Sequence, residues 1–180
     1  MAHEAQKQFC EYVKNKYPEH FQNKKILDVG SYDVNGNNRY LFQNCEYTGV
    51  DITAGPNVDL ICKGHEIPYQ PETFETIIST EALEHDMYYP QTLRKIIELL
   101  KSGGLFLFTC ATTGRAEHGT KRAAPDAAPG VVACEEWAYY YKNLTETDIR
   151  EAIFIDEIFK TYEFQKNVVA CDLYFCGIKK

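Results

Sequence analysis

The sequence predicts an α/β protein built on a largely parallel sheet, and three observations predict it. Short apolar runs alternate with helix-patterned segments. Polar, chemistry-bearing residues gather at the carboxyl ends of those runs, where an open parallel sheet binds its ligands. The chain then finishes in two long runs that read as an antiparallel hairpin. A length of 180 residues suits one domain with a substantial core. No internal repeat or linker divides it.

Each element has its own signal. Residues 4–17 read as a helix, because Phe9, Tyr12 and Val13 share a face and Tyr17 follows a turn later. KKILDVG, 24–30, is the first strand, and 35–44 reads as a short helix. EYTGVDI, 46–52, is the second strand, 58–62 a short third, and FETIIS, 74–79, the fourth. Over 90–101, Leu93, Ile96, Ile97 and Leu100 mark one helix face; Pro90 suits the first turn and Gly103-Gly104 the stop. LFLFTCA, 105–111, is nearly all apolar, as a strand covered on both faces should be. Thr145 with Asp148 forms an N-cap pattern ahead of Ile149, Ala152 and Ile153. IFIDEIFKTYEF and VVACDLYFCGI then make the hairpin, with Gln165-Lys166-Asn167 between them.

Composition narrows the function classes. Apolar residues make up 44% and charged residues 25%, an ordinary globular balance. The net charge of −7 and the lack of any basic block count against a nucleic-acid partner. Seven cysteines occur without a C-x-x-C pair, and Cys62, Cys110, Cys171 and Cys176 sit inside apolar runs. Their odd number and scatter argue for a reducing compartment. The start, MAHEAQKQFC, is too polar for a signal peptide. No apolar run approaches the roughly 18 residues of a membrane-spanning helix. The expectation is a soluble cytoplasmic protein without membrane contact, a monomer or a homodimer.

The stretch DVGSYDVNGN, 28–37, sits where a nucleotide-type cofactor loop belongs, but its glycines are oddly placed. A dinucleotide fingerprint wants glycine at 30, 32 and 35; those positions hold Gly30, Tyr32 and Asn35. Asp51 ends the second strand, roughly 20 residues after the glycine turn, where an acid can accept two hydrogen bonds from ribose hydroxyls. The plainer reading of Asp51 is a strand-end cap, since Thr53, Gly55 and Pro56 follow. Thr80-Glu81 and Glu84-His85 follow the fourth strand, and His118 follows the fifth.

Four pieces, ILDVGS, EYTGVDI, GHEIPYQPETFETIISTEALEHD and LLKSGGLFLFTCA, stand in an order and spacing that resemble the class I S-adenosylmethionine-dependent methyltransferases. The resemblance covers 24–111 and continues more loosely to the end. It implies a Rossmann-like seven-stranded, mostly parallel sheet with an antiparallel last strand and helices on both faces. It also implies S-adenosyl-L-methionine as cofactor and 1–180 as a single methyltransferase domain. This class needs only D/E-x-G in the first turn, because its cofactor has no pyrophosphate. DVGSYDVNGNNR resembles a bacterial subgroup with a D-V-N-G-x-x-R turn, in which Asn35-Gly36 supply the tight backbone and Tyr32 covers the cofactor. By the same resemblance Asp28 and Gly30 face the methionine end, Ser31 belongs to the cofactor-binding set, and Asp51 takes the ribose hydroxyls. Ile52, Gly64 and His65 flank the adenine, and Thr80 and Glu81 lie near the transferring methyl. Arg39 has two readings, a partner for the methionine carboxylate or a surface arginine. Lys63 stands where the family's adenine-binding acid is usual.

An activated methyl needs an aligned acceptor and, for a hydroxyl acceptor, a base. His118 and His85 are the candidate bases, with Glu81 beside them. Glu81-x-x-Glu84-His85 with His118 also resembles the metal site of small-RNA 2'-O-methyltransferases and of quinone-biosynthesis O-methyltransferases, so a divalent ion is a second possibility. Segment 112–144 is expected to be an acceptor-side insertion. Its cluster Trp137, Tyr139, Tyr140 and Tyr141 forms either a lid over the acceptor or ordinary packing. The expected function is methyl transfer to a small-molecule acceptor, with oxygen favoured. The alternatives are an RNA 2'-O-methyltransferase using a divalent metal, and a non-catalytic cofactor-binding module.

Overall fold

The structure is a computed structural model and describes residues 3–180. Seven strands form one sheet: β1 (Lys25–Val29), β2 (Glu46–Asp51), β3 (Leu60–Ile61), β4 (Phe74–Thr80), β5 (Leu100–Ala111), β6 (Phe159–Asn167) and β7 (Asp172–Lys179). Their order is β3-β2-β1-β4-β5-β7-β6. β1 pairs in parallel with both β2 and β4, and β4 with β5. β7 runs antiparallel between β5 and β6. This is the expected Rossmann-like sheet with its last strand reversed.

The two-residue period of β5 explains how the sheet holds helices on both faces. Phe106 and Phe108 point to one side and join Leu93, Ile96 and Leu99 of α2 (Tyr89–Leu99) and Ile149 of α4 (Glu146–Ala152). Leu105 and Leu107 point to the other and meet Phe9, Cys10 and Val13 of α1 (Glu4–Lys16). Both sets are fully or almost fully buried. The Thr145–Asp148 cap forms as a reciprocal box, with Asp148 N donating to Thr145 Oγ1 at 3.3 Å and Thr145 N to Asp148 Oδ2 at 2.8 Å.

Four sequence expectations need correction. Segment 35–44 is not a helix beyond one 3₁₀ turn at Arg39–Leu41. Asp33 explains this: its carboxylate accepts from Gly36 N at 2.6 Å and Asn37 Nδ2 at 2.7 Å, a local turn that competes with helix formation. The third strand shrinks to Leu60–Ile61. Gly103-Gly104 do not stop α2; the helix ends at Leu99 because Leu100 already pairs with Phe74, and the glycines lie in an irregular stretch of β5. The hairpin turn is 168–171 rather than 165–167, because Asn167 Oδ1 accepts from Val169 N and Ala170 N and closes the loop there. A short helix, α5 (Ile155–Ile158), precedes β6. Among the described residues no helix is long and apolar enough to cross a membrane.

Candidate active site

The strand order reverses beside β1, and a cleft opens at the carboxyl ends of β1, β2 and β4. Its floor is the β1 turn. Gly30 has φ +82°, and a Cβ there would lie 2.2 Å from that of Ala82, so only glycine fits. Gly30 N and Ser31 N donate to Val50 O, and Ser31 Oγ donates to Asn57 O at 3.0 Å. The rest of the turn is tied down by side chains. Asn38, buried, donates to Thr80 Oγ1 at 2.9 Å and accepts from Gln6 of α1.

Asp28 is buried and lines the cleft. Tyr47 Oη donates to its Oδ2 at 2.5 Å, while Oδ1 has no partner. Burial pushes this carboxyl up to about 7, against the opposing effect of the Tyr47 hydrogen bond. Asp51 is preorganised: Tyr32 N donates to Oδ2 at 3.1 Å and Ile52 N to Oδ1 at 2.8 Å. Those bonds leave carboxylate lone pairs for a ligand. Burial still raises its pKa. Asp51 thus caps the turn and also lines the cleft.

Tyr32, Asn35, Ile52, Gly64, Thr80, Glu81 and His85 also line the cleft. Tyr32 lies against Gly55, within 2.1 Å of where a Cβ would stand. His65 does not line it; its ring packs on Tyr88 at 4.6 Å. Arg39 also stays outside. Its guanidinium stacks on Tyr47 at 4.3 Å, bonds Asn57 and pairs with Asp59 at 2.5 Å, so it braces the loop from behind. This placement counts against the methionine-carboxylate role for Arg39.

Beyond Thr80 the chain enters a different environment. Glu81 has φ +52°, a left-handed conformation that stores strain in a residue with a side chain. Thr109 Oγ1 donates to its Oε1 at 2.9 Å. Its Oε2 lies 3.7 Å from His3 Nε2, and His3 is 3.0 Å from Asp172, which also pairs with Arg115 at 3.2 Å. Asp172 and then Glu81 raise His3 to about 9. Burial pushes Glu81 up, but His3 outweighs it and the net direction is down.

Glu84 and His85 are fully or almost fully buried, and none of their four side-chain N and O atoms has a hydrogen-bond partner. His118 joins them from the loop after β5, its ring 5.1 Å from that of His85. One ligand-type atom from each of Glu84, His85 and His118 lies within 4.8 Å of the others. His118 Nδ1 is 3.1 Å from Ala116 O. A carbonyl only accepts, so Nδ1 carries the proton and Nε2, also buried and unpaired, presents a lone pair. Burial lowers both imidazoles, His85 to about 3 with His118 adding to the shift. Burial and the Glu81 charge hold the Glu84 carboxyl above its usual range. Glu84, His85 and His118 thus face one another with five buried side-chain atoms left unpartnered, which is rare in a folded interior. His118 itself does not line the cleft; it stands behind His85.

The long segment after β5 divides. Residues 112–120 carry His118. The short helix α3 (Pro129–Ala133) and the residues around it cross the cleft, which Ala127, Gly130, Val131 and Trp137 line. The aromatic cluster divides too: Trp137 is on the cleft, Tyr141 packs on His85 and His118 at 5.5 and 5.0 Å, and Tyr139 is exposed. The sequence reading missed Ala127–Gly130 and Asn38 as cleft residues. No local pattern singled them out, since Ala127–Gly130 are small residues and Asn38 stands in the polar run Asn35-Gly36-Asn37-Asn38-Arg39.

Sequence comparison agrees with this geometry. Residues 1–144 match the methyltransferase-domain family. The chain belongs to that family. No curated protein sequence matches the methyltransferase. Its fold is similar to several solved structures at low identity. Against the 1,6-didemethyltoxoflavin N1-methyltransferase of Burkholderia thailandensis, with bound 1,6-didemethyltoxoflavin and S-adenosylhomocysteine, identity is 14% and the TM-score 0.60. That match covers 100% of this chain and 92% of the other. Against phosphoethanolamine N-methyltransferase 2 of Haemonchus contortus, in complex with phosphomonomethylethanolamine and S-adenosylhomocysteine, the values are 16% and 0.65, over 96% of this chain and 52% of the other. Against the CurJ carbon methyltransferase they are 14% and 0.60, over 94% and 52%. The chain therefore spans about half the length of the last two.

Proposed function

We propose that the methyltransferase transfers the methyl group of S-adenosylmethionine to an oxygen of a small-molecule acceptor. One observation carries the reading. A single cleft presents carboxylates at its β1 and β2 end, Asp28 and Asp51, and is lined at its β4 end by the neutral imidazole of His85, with His118 and its unpartnered Nε2 behind it. The first end suits the cofactor. Asp28 Oδ1 is a buried oxygen without a donor, suited to the ammonium of the methionine end, beside Gly30 and Ser31. Asp51 has lone pairs left for the ribose hydroxyls. Ile52 and Gly64 flank the adenine, while His65 stacks on Tyr88 outside the cleft. When bound, S-adenosylmethionine supplies a methyl already activated on a sulfonium. The chain's own task is then to align the acceptor and take its proton. Thr80 and Glu81 hold the acceptor end of the cleft, His85 lines it, and His118 Nε2 is the lone pair available for the proton.

The same reading takes residues 1–180 as one methyltransferase domain, with 112–144 as an insertion that shapes the acceptor side and covers part of the cofactor. The net charge of −7 supports a small acceptor over RNA. Calorimetric titration with S-adenosylmethionine and S-adenosylhomocysteine, followed by an acceptor screen, tests the proposal. Hydroxyl acceptors should turn over, and His118→Ala should lower turnover about 100-fold or more with cofactor affinity kept. Turnover restricted to amine or carbon acceptors would reject the oxygen assignment.

A second reading concerns how the proton leaves. Five buried, unpartnered atoms on Glu84, His85 and His118 form a donor set suited to a divalent cation. A cation there would polarise an acceptor oxygen and ionise Glu84. Equilibrium dialysis against Mn²⁺ and Co²⁺ separates the readings: one tight site, lost in Glu84→Gln, supports the cation, and no retained metal leaves the imidazoles as the base.

A further inference from the structure

The cleft is short of positive charge. Among the described residues its lining includes four carboxylates, Asp28, Asp51, Glu81 and Asp86, and neither a lysine nor an arginine. The histidine that lines it, His85, is held neutral by burial. Arg39 braces the β1 loop from outside, and Lys63, also outside, pairs with Glu136 at 3.1 Å. The amino-acid end of S-adenosylmethionine carries an ammonium and a carboxylate on one carbon. With Asp28 assigned to the ammonium, the carboxylate lies close by and has to be met by neutral donors.

Several neutral donors at this end are already spent. Ser31 Oγ donates to Asn57 O at 3.0 Å, Ser79 Oγ to Val29 O at 2.8 Å and Asn37 Nδ2 to Asp33 Oδ2 at 2.7 Å. Thr80 differs. It is partly exposed and lines the cleft, two residues beyond Ile78, the partner of Asp28 in the β1–β4 pairing. The methionine end and the acceptor end of the cleft meet at this residue. Asn38 Nδ2 donates to Thr80 Oγ1 at 2.9 Å, so the hydroxyl accepts there and keeps its own hydrogen to give. The direction of that bond is set from outside the cleft. An asparagine amide turned end for end would accept from Thr80 instead. Gln6, fully buried on α1, donates from Nε2 to Asn38 Oδ1 at 3.3 Å and holds the amide with its nitrogen toward Thr80. The same Nε2 lies 3.3 Å from Cys10 Sγ, one turn along the helix.

We infer that the Thr80 hydroxyl donates to the carboxylate at the methionine end of the cofactor, aimed by a relay that runs from Gln6 through Asn38. The inference rests on the S-adenosylmethionine reading above. Thr80 is then a binding residue, and Asn38 and Gln6 are positioning residues that act through it. A hydroxyl donating to an ionised oxygen makes one of the stronger hydrogen bonds, which suits a cleft that offers no cation. Helix α1 contributes no residue to the cleft lining, yet through Gln6 it sets how well the cofactor is held.

Three ligands separate the contributions: S-adenosylhomocysteine, its decarboxylated analogue, which keeps the ammonium, and 5′-methylthioadenosine, which lacks both groups. Each is titrated by calorimetry into wild type, Thr80→Val, Thr80→Ser and Gln6→Met. Wild type should bind the decarboxylated analogue about tenfold more weakly than S-adenosylhomocysteine. Thr80→Val should weaken S-adenosylhomocysteine by about the same factor and leave the other two ligands within about twofold of wild type. Thr80→Ser keeps the hydroxyl and should restore the affinity. Gln6→Met should give a smaller loss, about threefold, again confined to the ligand with the carboxylate. A purely structural role for Thr80 would weaken all three ligands alike. That result, or a Thr80→Val protein that binds S-adenosylhomocysteine as wild type does, overturns the inference and leaves the cofactor reading intact. No binding of any of the three by wild type overturns both. If Thr80→Val does not fold, the wild-type series and Gln6→Met decide: equal wild-type affinity for the first two ligands, or no carboxylate-specific loss in Gln6→Met, overturns the inference.

Discussion

The two ends of the cleft differ in how their polar groups are satisfied. At the β1 and β2 end, Asp51 is held by two backbone N–H groups, Ser31 by Asn57, and Asn38 by Thr80 and Gln6. Among the described residues Asp28 Oδ1, Thr53 Oγ1 and Gln6 Oε1 are left open there. At the β4 end, Glu84, His85 and His118 are buried together with five unpartnered atoms. The first end is rigid before a ligand arrives, which lowers the ordering cost of binding. The second is a buried cluster of suppressed charge. On the proposed reading, cofactor holding and acceptor chemistry are built on opposite electrostatic principles within one fold.

Four changes break or sharpen that contrast, in order of expected size. Gly30→Val should collapse the rigid end itself. It sets a side chain 2.2 Å from Ala82 Cβ at φ +82°. Overpacking and left-handed strain together cost about 3–5 kcal/mol, and thermal unfolding should show a melting temperature lower by roughly 10 °C.

Asp28→Asn tests an open carboxylate at the rigid end. Folding raises this carboxyl from 3.8 to about 7. Between those values the folded chain keeps a proton that the unfolded chain has released. Stability therefore falls as pH rises from about 4 to 7 and stays at the lower value above that. The amide of the variant would still accept from Tyr47 and would carry no such penalty. Denaturant titrations should find the variant more stable than wild type by on the order of 2 kcal/mol at pH 8, with no gain at pH 4. Its affinity for S-adenosylhomocysteine should fall, since the ammonium loses a charged partner.

Asp51→Ala should weaken S-adenosylhomocysteine tenfold or more, about 1.4 kcal/mol, with the melting temperature of the free protein held near wild type. An equal loss of stability and affinity would mean that Asp51 is only a turn cap. Arg39→Ala should do least. Its stacking on Tyr47 and pairing with Asp59 lie outside the cleft and are partly exposed. A stability change below about 1 kcal/mol and a less than threefold change in cofactor affinity are expected.

Legibility followed the range of the interactions. The strand bodies announced themselves because period-two burial is local, as Leu105 and Phe106 show by facing opposite cores. The box at Thr145 and Asp148 was equally visible, because its bonds span three residues. Segment 35–44 misled because the Asp33 turn competes with helix through side-chain bonds that a residue pattern does not rank. The Gly103-Gly104 pair misled because the pairing of Leu100 with Phe74, across the sheet, decided where the helix ends.

By itself the sequence determined the α/β class, the position of the cofactor turn at Asp28–Gly30, the acid at Asp51 and the presence of Glu84, His85 and His118 downstream. These follow from short-range patterns and from residue chemistry. Only the tertiary structure decided that His118 meets His85 from a distant part of the chain (a ring distance of 5.1 Å). It alone turned His3 onto Glu81 and Asp172, and laid Gly130 and Trp137 along the cleft. The physical reason is that burial and partnering are properties of packing. The same histidine is a solvated base on an open loop and a neutral, unsatisfied group beside a second buried imidazole, and nothing within its own stretch of chain distinguishes the two.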